Sequence, residues 1–273
     1  MSRIERLADD ILVLSDLVPV DGRVSWVPAA ARGFEPYNEY VVLADDHVLL
    51  IDTGVAVHGP SILATLKEIV GSRRLTIWAT RIELDCLGNL GMLIDHFPQA
   101  QVATANVISP PTLVHFAPET PPPLPVKHLR MGDGLASIGF PRLRSFDPVM
   151  RTLGTSWLWD EPSKTLFTTD FFCTDMLPSE SDPVIRRDNG PVDSVEYVRD
   201  GVVRKFDWLH KVDTDNLLAR WDSFFGSIEP TAIAPIHGRV QFGRERVQQT
   251  IARYREAVFF RQDVAEPREM ALS

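Results

Sequence analysis

Short apolar runs broken by turn residues fill the first third of the chain, and longer segments of helical period join them further on. Ile11 to Leu14 is the first run and predicts a strand. Glu39 to Ala44 and Val48 to Ile51 are separated only by Asp45, Asp46 and His47, the signature of a hairpin. Asp52-Thr53-Gly54 follows at once, and apolar positions from Ser61 to Val70 then recur with helical spacing. Leu75 to Ala79 predicts another strand, with Thr80 to Gly88 at its carboxyl end and a helix over Gly88 to Phe97 behind it.

Ser109 to Val126 contains Pro110, Pro111, Pro118, Pro121, Pro122, Pro123 and Pro125; missing amide donors rule out regular helix there and predict a long surface loop. Leu143 to Phe146, Ser156 to Trp159 and Leu166 to Thr169 predict a second set of strands. Thr214 to Phe225 is helical in pattern, Thr231 to Pro235 is a short strand, and Arg244 to Phe260 is a closing helix. Strands alternating with helices imply an α/β fold with helices against the outer faces of a sheet. No short repeat and no shift of composition divides the chain, so residues 1–273 are expected to form a single domain.

Composition narrows the function classes. A length of 273 residues with 44% hydrophobic content provides a sizeable core. The 28 basic and 37 acidic side chains give a net charge of −9, which argues against a general nucleic-acid or anionic-membrane binder. Cys86 and Cys173 are the two cysteines, too few for a disulfide framework and without a CxxC zinc pair. The amino terminus carries mixed charges instead of a signal peptide's apolar run, and no stretch reaches the roughly 18 apolar residues of a membrane span. A cytoplasmic protein is the expectation.

The chemistry concentrates in ATRIELDCLGNLGML, Ala79 to Leu93. Arg81, Glu83, Asp85, Cys86 and Gly88 fall on the spacing of a two-metal motif. In metallo-β-lactamase-fold proteins this loop carries HxHxDH, and in the flavodiiron branch HxExDHxG. From YNEYVVLADDHVLLIDTG through TRIELDCLGN and TLFTTDFF to IAPIHG, the chain resembles the metallo-β-lactamase-like domain of flavodiiron proteins and the free-standing oxygen-binding di-iron proteins, over most of residues 37–255. The resemblance implies a four-layered αββα sandwich with its site along one edge of the strands. No flavodoxin-like region follows, so no flavin domain is expected. Proteins of this kind commonly pair head to tail, which implies a homodimer.

Carried over residue by residue, the resemblance places the metal-bridging aspartate at Asp170 and the last ligand at His237. Family spacing counted back from Asp170 puts the third histidine's position at Arg151; an offset puts Asp147 there instead. The implied first metal site becomes Arg81, Arg151, Glu83 and Asp170. A guanidinium stays protonated and has no lone pair to donate, so that site is expected to hold no metal. The second becomes Asp85, Cys86, Asp170 and His237, a thiolate, an imidazole and carboxylates of the kind that hold one Zn or Fe ion. Arg81 and Arg151 also supply fixed charge against the crowded carboxylates, so the pocket approaches neutrality with no metal at all.

Blander roles stand beside these. Asp52 is expected to support the site loop by hydrogen bonding, and Cys86 to be either a ligand or an inert buried thiol. A Cys86–Cys173 pair is a further alternative. His47, His58, His96, His115, His128 and His210 match no ligand position. The six tryptophans and the proline-rich loop are candidates for a substrate pocket or a dimer interface. Three function classes remain: a small-ligand binding or sensor protein that takes a small anionic molecule; a mononuclear metal-dependent hydrolase, with a metal activating water and an arginine polarising the substrate; and, least favoured with three imidazoles replaced, di-iron oxygen or nitric oxide chemistry. Fold analogy alone does not choose among them.

Overall fold

In the computed structural model, which describes residues 2–22, 27–106, 126–150 and 154–259, the predicted runs become the centres of longer strands. The first sheet is built in chain order from β1 (Arg3–Ala8), β2 (Ile11–Pro19), β3 (Phe34–Leu43), β4 (His47–Ile51), β5 (Arg74–Ala79), β6 (Gln101–Thr104) and β7 (Val126–His128). β1 to β4 pair antiparallel, with short turns between β1 and β2 and between β3 and β4, and β4 to β7 run parallel. The second sheet has the order β12, β14, β13, β11, β10, β9, β8. Its strands are β8 (Gly134–Leu135), β9 (Phe140–Phe146), β10 (Trp157–Asp160), β11 (Thr165–Thr169), β12 (Ile185–Arg186), β13 (Ala232–Pro235) and β14 (Val240–Phe242).

Strand side chains alternate between faces, so each inner strand feeds two cores. Val13, Tyr40, Val42, Leu49, Ile51, Leu158, Phe167 and Ala234 fill the space between the sheets. Leu14, Val41, Leu50 and Ile77 point the other way, against α1 (Gly59–Val70), α2 (Leu84–Leu87) and α3 (Leu90–His96). Trp157, Leu166 and Ile233 leave the second sheet toward α4 (Val195–Lys205), α5 (Asp215–Ser227) and α6 (Arg244–Val258). The order of layers is therefore helix, sheet, sheet, helix, the αββα sandwich that the resemblance implies.

Two differences from the sequence reading have physical causes. The helix predicted over Gly88 to Phe97 begins only at Leu90, behind a separate short helix over Leu84–Leu87. Gly88 is where chains cross: a Cβ there would lie 2.6 Å from the Leu84 carbonyl and 2.8 Å from the Gly54 carbonyl, so its backbone serves packing. Among the described residues the tryptophans serve mainly as core. Trp78, Trp157 and Trp221 are fully buried, and Trp157 lies within 5.5 Å of the Phe224 ring, while Trp208 is exposed. The proline-rich segment falls almost wholly outside the described residues, as does Arg151.

Candidate functional site

Four strand ends converge at one edge of the sandwich. Asp52 leaves β4, Thr80 and Arg81 leave β5, Asp170 leaves β11 and His237 follows β13. The sheets are tied together here: the Ser156 amide donates to the Thr80 carbonyl at 2.8 Å, and Arg81 and Thr155 form an isolated antiparallel bridge. The Ile236 amide donates to the Thr169 carbonyl at 2.7 Å, and Asn38 Nδ2 donates to the carbonyls of Pro235 and Gly238, fixing the turn that carries His237.

Asp52 lies under the site loop. With a left-handed φ of 60°, it accepts the Thr80 amide at 2.9 Å and the Thr80 hydroxyl at 2.6 Å. Thr53 accepts from the Asn89 amide through its hydroxyl and donates to the Cys86 carbonyl, and Asn89 Nδ2 donates to the carbonyls of Thr53 and Val55. The Asp-Thr-Gly loop thus holds the Leu84–Leu87 turn in place.

Arg81 is the centre of the site. Its Nη1 lies 2.8 Å from Asp170 Oδ2 and 3.3 Å from Glu83 Oε2, its Nη2 pairs with Asp85 Oδ2, and its Nε faces Cys86 Sγ at 3.2 Å. Its side chain is 6% exposed. Burial opposes the guanidinium's charge, but the carboxylates of Asp170 and Glu83 around it raise its pKa beyond the ordinary arginine value. Burial likewise pushes the Asp170 carboxyl up, and Arg81, Lys205 and His237 together outweigh it and hold the group below its usual value. Asp170 is a carboxylate.

His237 Nε2 lies 3.0 Å from Asp85 Oδ2, and Nδ1 lies 4.0 Å from Glu35 Oε1. Burial, reinforced by Lys205 and Arg81, depresses the imidazole to about 3, so it is neutral near pH 7. Because an ionised carboxylate only accepts, the contact assigns the ring proton to Nε2. Tyr37 packs edge-on against the ring at 4.5 Å between centroids. Burial pushes the Cys86 thiol well up, and its side chain belongs to the apolar cluster beneath α1 and α3.

The fit of a metal follows from these contacts. Asp85 Oδ2 is shared by Arg81 and His237, Asp170 Oδ2 is turned to Arg81, and Cys86 is an un-ionised thiol facing the same guanidinium. Among the described residues, no group of three or more His, Cys, Asp and Glu side chains is placed to hold a metal ion. The residues do not fit the metal pair that the fold family implies.

The structure thus brings together Arg81, Glu83, Asp85, Cys86, Asp170 and His237. Asp147, the alternative for the third histidine's position, accepts a 2.6 Å hydrogen bond from Arg220 on the outside of α5. Cys86 and Cys173 are separate free thiols. Sequence reasoning missed Lys205, whose Nζ donates to the Asp170 carbonyl at 2.9 Å and lies 3.0 Å from Cys173 Sγ. The signal lay in Val195, Val198 and Val202 at helical spacing behind the N-cap Ser194, whose hydroxyl accepts the Tyr197 amide.

No protein-family model matches the chain, and neither does any curated protein. Solved structures do. The rubredoxin oxygen:oxidoreductase of Desulfovibrio gigas superposes with a TM-score of 0.68 at 16% identity, over 94% of this chain and 61% of its own. A fragment, residues 1-254, of a putative diflavin flavoprotein from Nostoc gives 0.70 at 14% identity, over 94% and 95%. A DIM-1 metallo-β-lactamase gives 0.55 at 15% identity, over 94% and 97%. The protein is therefore of the metallo-β-lactamase fold. Within that fold its form is similar to that of the flavodiiron proteins, and it spans about three fifths of the length of the Desulfovibrio chain.

Proposed function

We propose that this protein is a small-ligand binding or sensor protein, built on a metallo-β-lactamase fold whose metal site is remodelled around Arg81. The observation that carries the reading is the guanidinium's simultaneous contact with Asp85, Glu83, Asp170 and Cys86, the groups expected to face metal. Charge-assisted contacts of this kind, one to each carboxylate, satisfy buried carboxylates without a diffusible cation.

Glu83 is the ligand's point of entry. Its carboxylate is the most exposed of the three, at 37%, and sits at 3.3 Å from Nη1. A small molecule carrying its own carboxylate can exchange for Glu83 on the guanidinium while Asp85 and Asp170 keep Arg81 in place. A homodimer in the cytoplasm completes the proposal. No described helix is long and apolar enough to cross a membrane, and both cysteines are free thiols.

Elemental analysis of protein expressed with iron and zinc supplied is the first test. The reading expects less than about 0.1 metal per chain. About one metal per chain, together with hydrolytic activity lost in Asp85→Asn and His237→Ala, would replace it with the mononuclear hydrolase. Two would restore di-iron chemistry. Light scattering tests the dimer, and thermal shift with small carboxylic acids, compared between the unaltered protein and Glu83→Gln, tests the ligand class.

A further inference from the structure

Arg81 reaches Asp170 from the first sheet, and a second cation reaches the same residue from the opposite layer. Lys205 is the last residue of α4. Its stem is partly exposed, but its ammonium turns inward to the Asp170 carbonyl at 2.9 Å and the Cys173 sulfur at 3.0 Å. Asp170 is thus approached by two built-in positive charges, Arg81 at its carboxylate and Lys205 at its backbone carbonyl.

We infer that Lys205 is a positioning residue that acts with Arg81 to close this site to divalent metal, so that restoring an imidazole at position 81 does not by itself restore a metal centre. The inference deepens the reading of Arg81 given above and rests on it. The argument is one of charge and place. A divalent ion on the Asp170 carboxylate would lie in the same residue's neighbourhood as an ammonium already hydrogen-bonded to its backbone carbonyl, and like charges close together in a buried site repel strongly.

The test is zinc and manganese binding by the intact chain, followed by calorimetry and by metal retained after gel filtration. The variants are Arg81→His, Arg81→His with Lys205→Met, and Arg81→His with Lys205→Arg. Lys205→Gln is a second neutral variant that keeps an N–H donor for the Asp170 carbonyl should the methionine variant not fold. The expected result is that Arg81→His and the lysine-to-arginine double variant bind zinc at least roughly 100-fold more weakly than the neutral double variants, which bind about one ion per chain. Equal affinity of Arg81→His and the neutral double variants would overturn the inference alone, as would folded neutral double variants that bind no zinc. Stoichiometric zinc on the unaltered protein would overturn the reading of Arg81 and this inference with it.

Discussion

Arg81 and Asp170, 89 positions apart in the chain, meet at 2.8 Å between the ends of the two sheets. The contact joins the β5 loop to the β11 turn where the Thr80–Ser156 hydrogen bond already holds the sheets together. Its removal leaves Asp170, 5% exposed, and Asp85, 14% exposed, without the guanidinium. Arg81→Ala is therefore expected to cost about 3 to 5 kcal/mol, the scale for stranding one side of a buried pair. Urea unfolding with an unchanged m-value checks it, and a loss below about 1 kcal/mol would show that solvent enters and relieves the carboxylates.

Glu39 is a liability of another kind. The residue is 1% exposed, neither carboxyl oxygen has a hydrogen-bond partner among the described residues, and burial, with Asp16 and Asp52 nearby, drives its pKa well up. It is therefore buried as a neutral acid over Gly54, where a Cβ would come within 1.9 Å of Oε1. Glu39→Leu exchanges an unsatisfied polar group for an apolar one and is expected to stabilise the fold by about 1 to 3 kcal/mol. A Tm that stays level or falls would mean that the carboxyl is satisfied in solution.

Asp52 supplies a pH dependence. Burial raises it from 3.8 to about 7, against the opposing hydrogen bonds from Thr80 and the charge of Arg81. A folded-state value above the unfolded one means that the folded protein holds the proton more tightly. The contribution to stability is therefore complete below about pH 4 and is lost as pH rises through about 7, by at most about 1.4 kcal/mol per pH unit. Asp52→Asn should flatten the stability profile over that window, and parallel profiles for the two proteins would refute the assignment.

The thiols give a chemical test. Cys86 is wholly buried and Cys173 is 8% exposed; burial raises both pKa values, with Asp52 adding to the rise at Cys86 and Lys205 opposing it at Cys173. Thiolate is the reactive form, so both side chains should resist a disulfide reagent in the folded protein and react promptly in denaturant. Rapid labelling of Cys86 in the native state would mean that the loop beneath Asp52 opens.

The outer frame of this fold was legible because alternating apolar runs such as Val48 to Ile51 and Leu166 to Thr169 can be satisfied only between two layers. The short edge strands were not. β8 and β12 have two residues each, too few to show a period, and they exist through their neighbours' hydrogen bonds. The site was legible where it depends on residue type at fixed spacing, as at Arg81, Glu83, Asp85 and Cys86. It was not legible where it depends on the length of a flexible side chain crossing between layers. Lys205 lies 35 positions from Asp170, and no spacing rule connects them. Trp157 and Trp221 were likewise open to a surface role until aromatic neighbours closed around them.

The guanidinium at the mouth of the sandwich is bonded to the chain that it holds together. An ion in the same place would come and go with its free concentration, and the folded population would follow supply through mass action. Arg81 is synthesised with the protein and held a few ångströms from its partners by its own backbone, so dilution, chelators and metal starvation have no grip on that contact. Its permanence also limits it: a tethered cation cannot be delivered, withdrawn or exchanged for another, so any signal read at this site must arrive as a molecule that competes with the arginine's partners for its guanidinium.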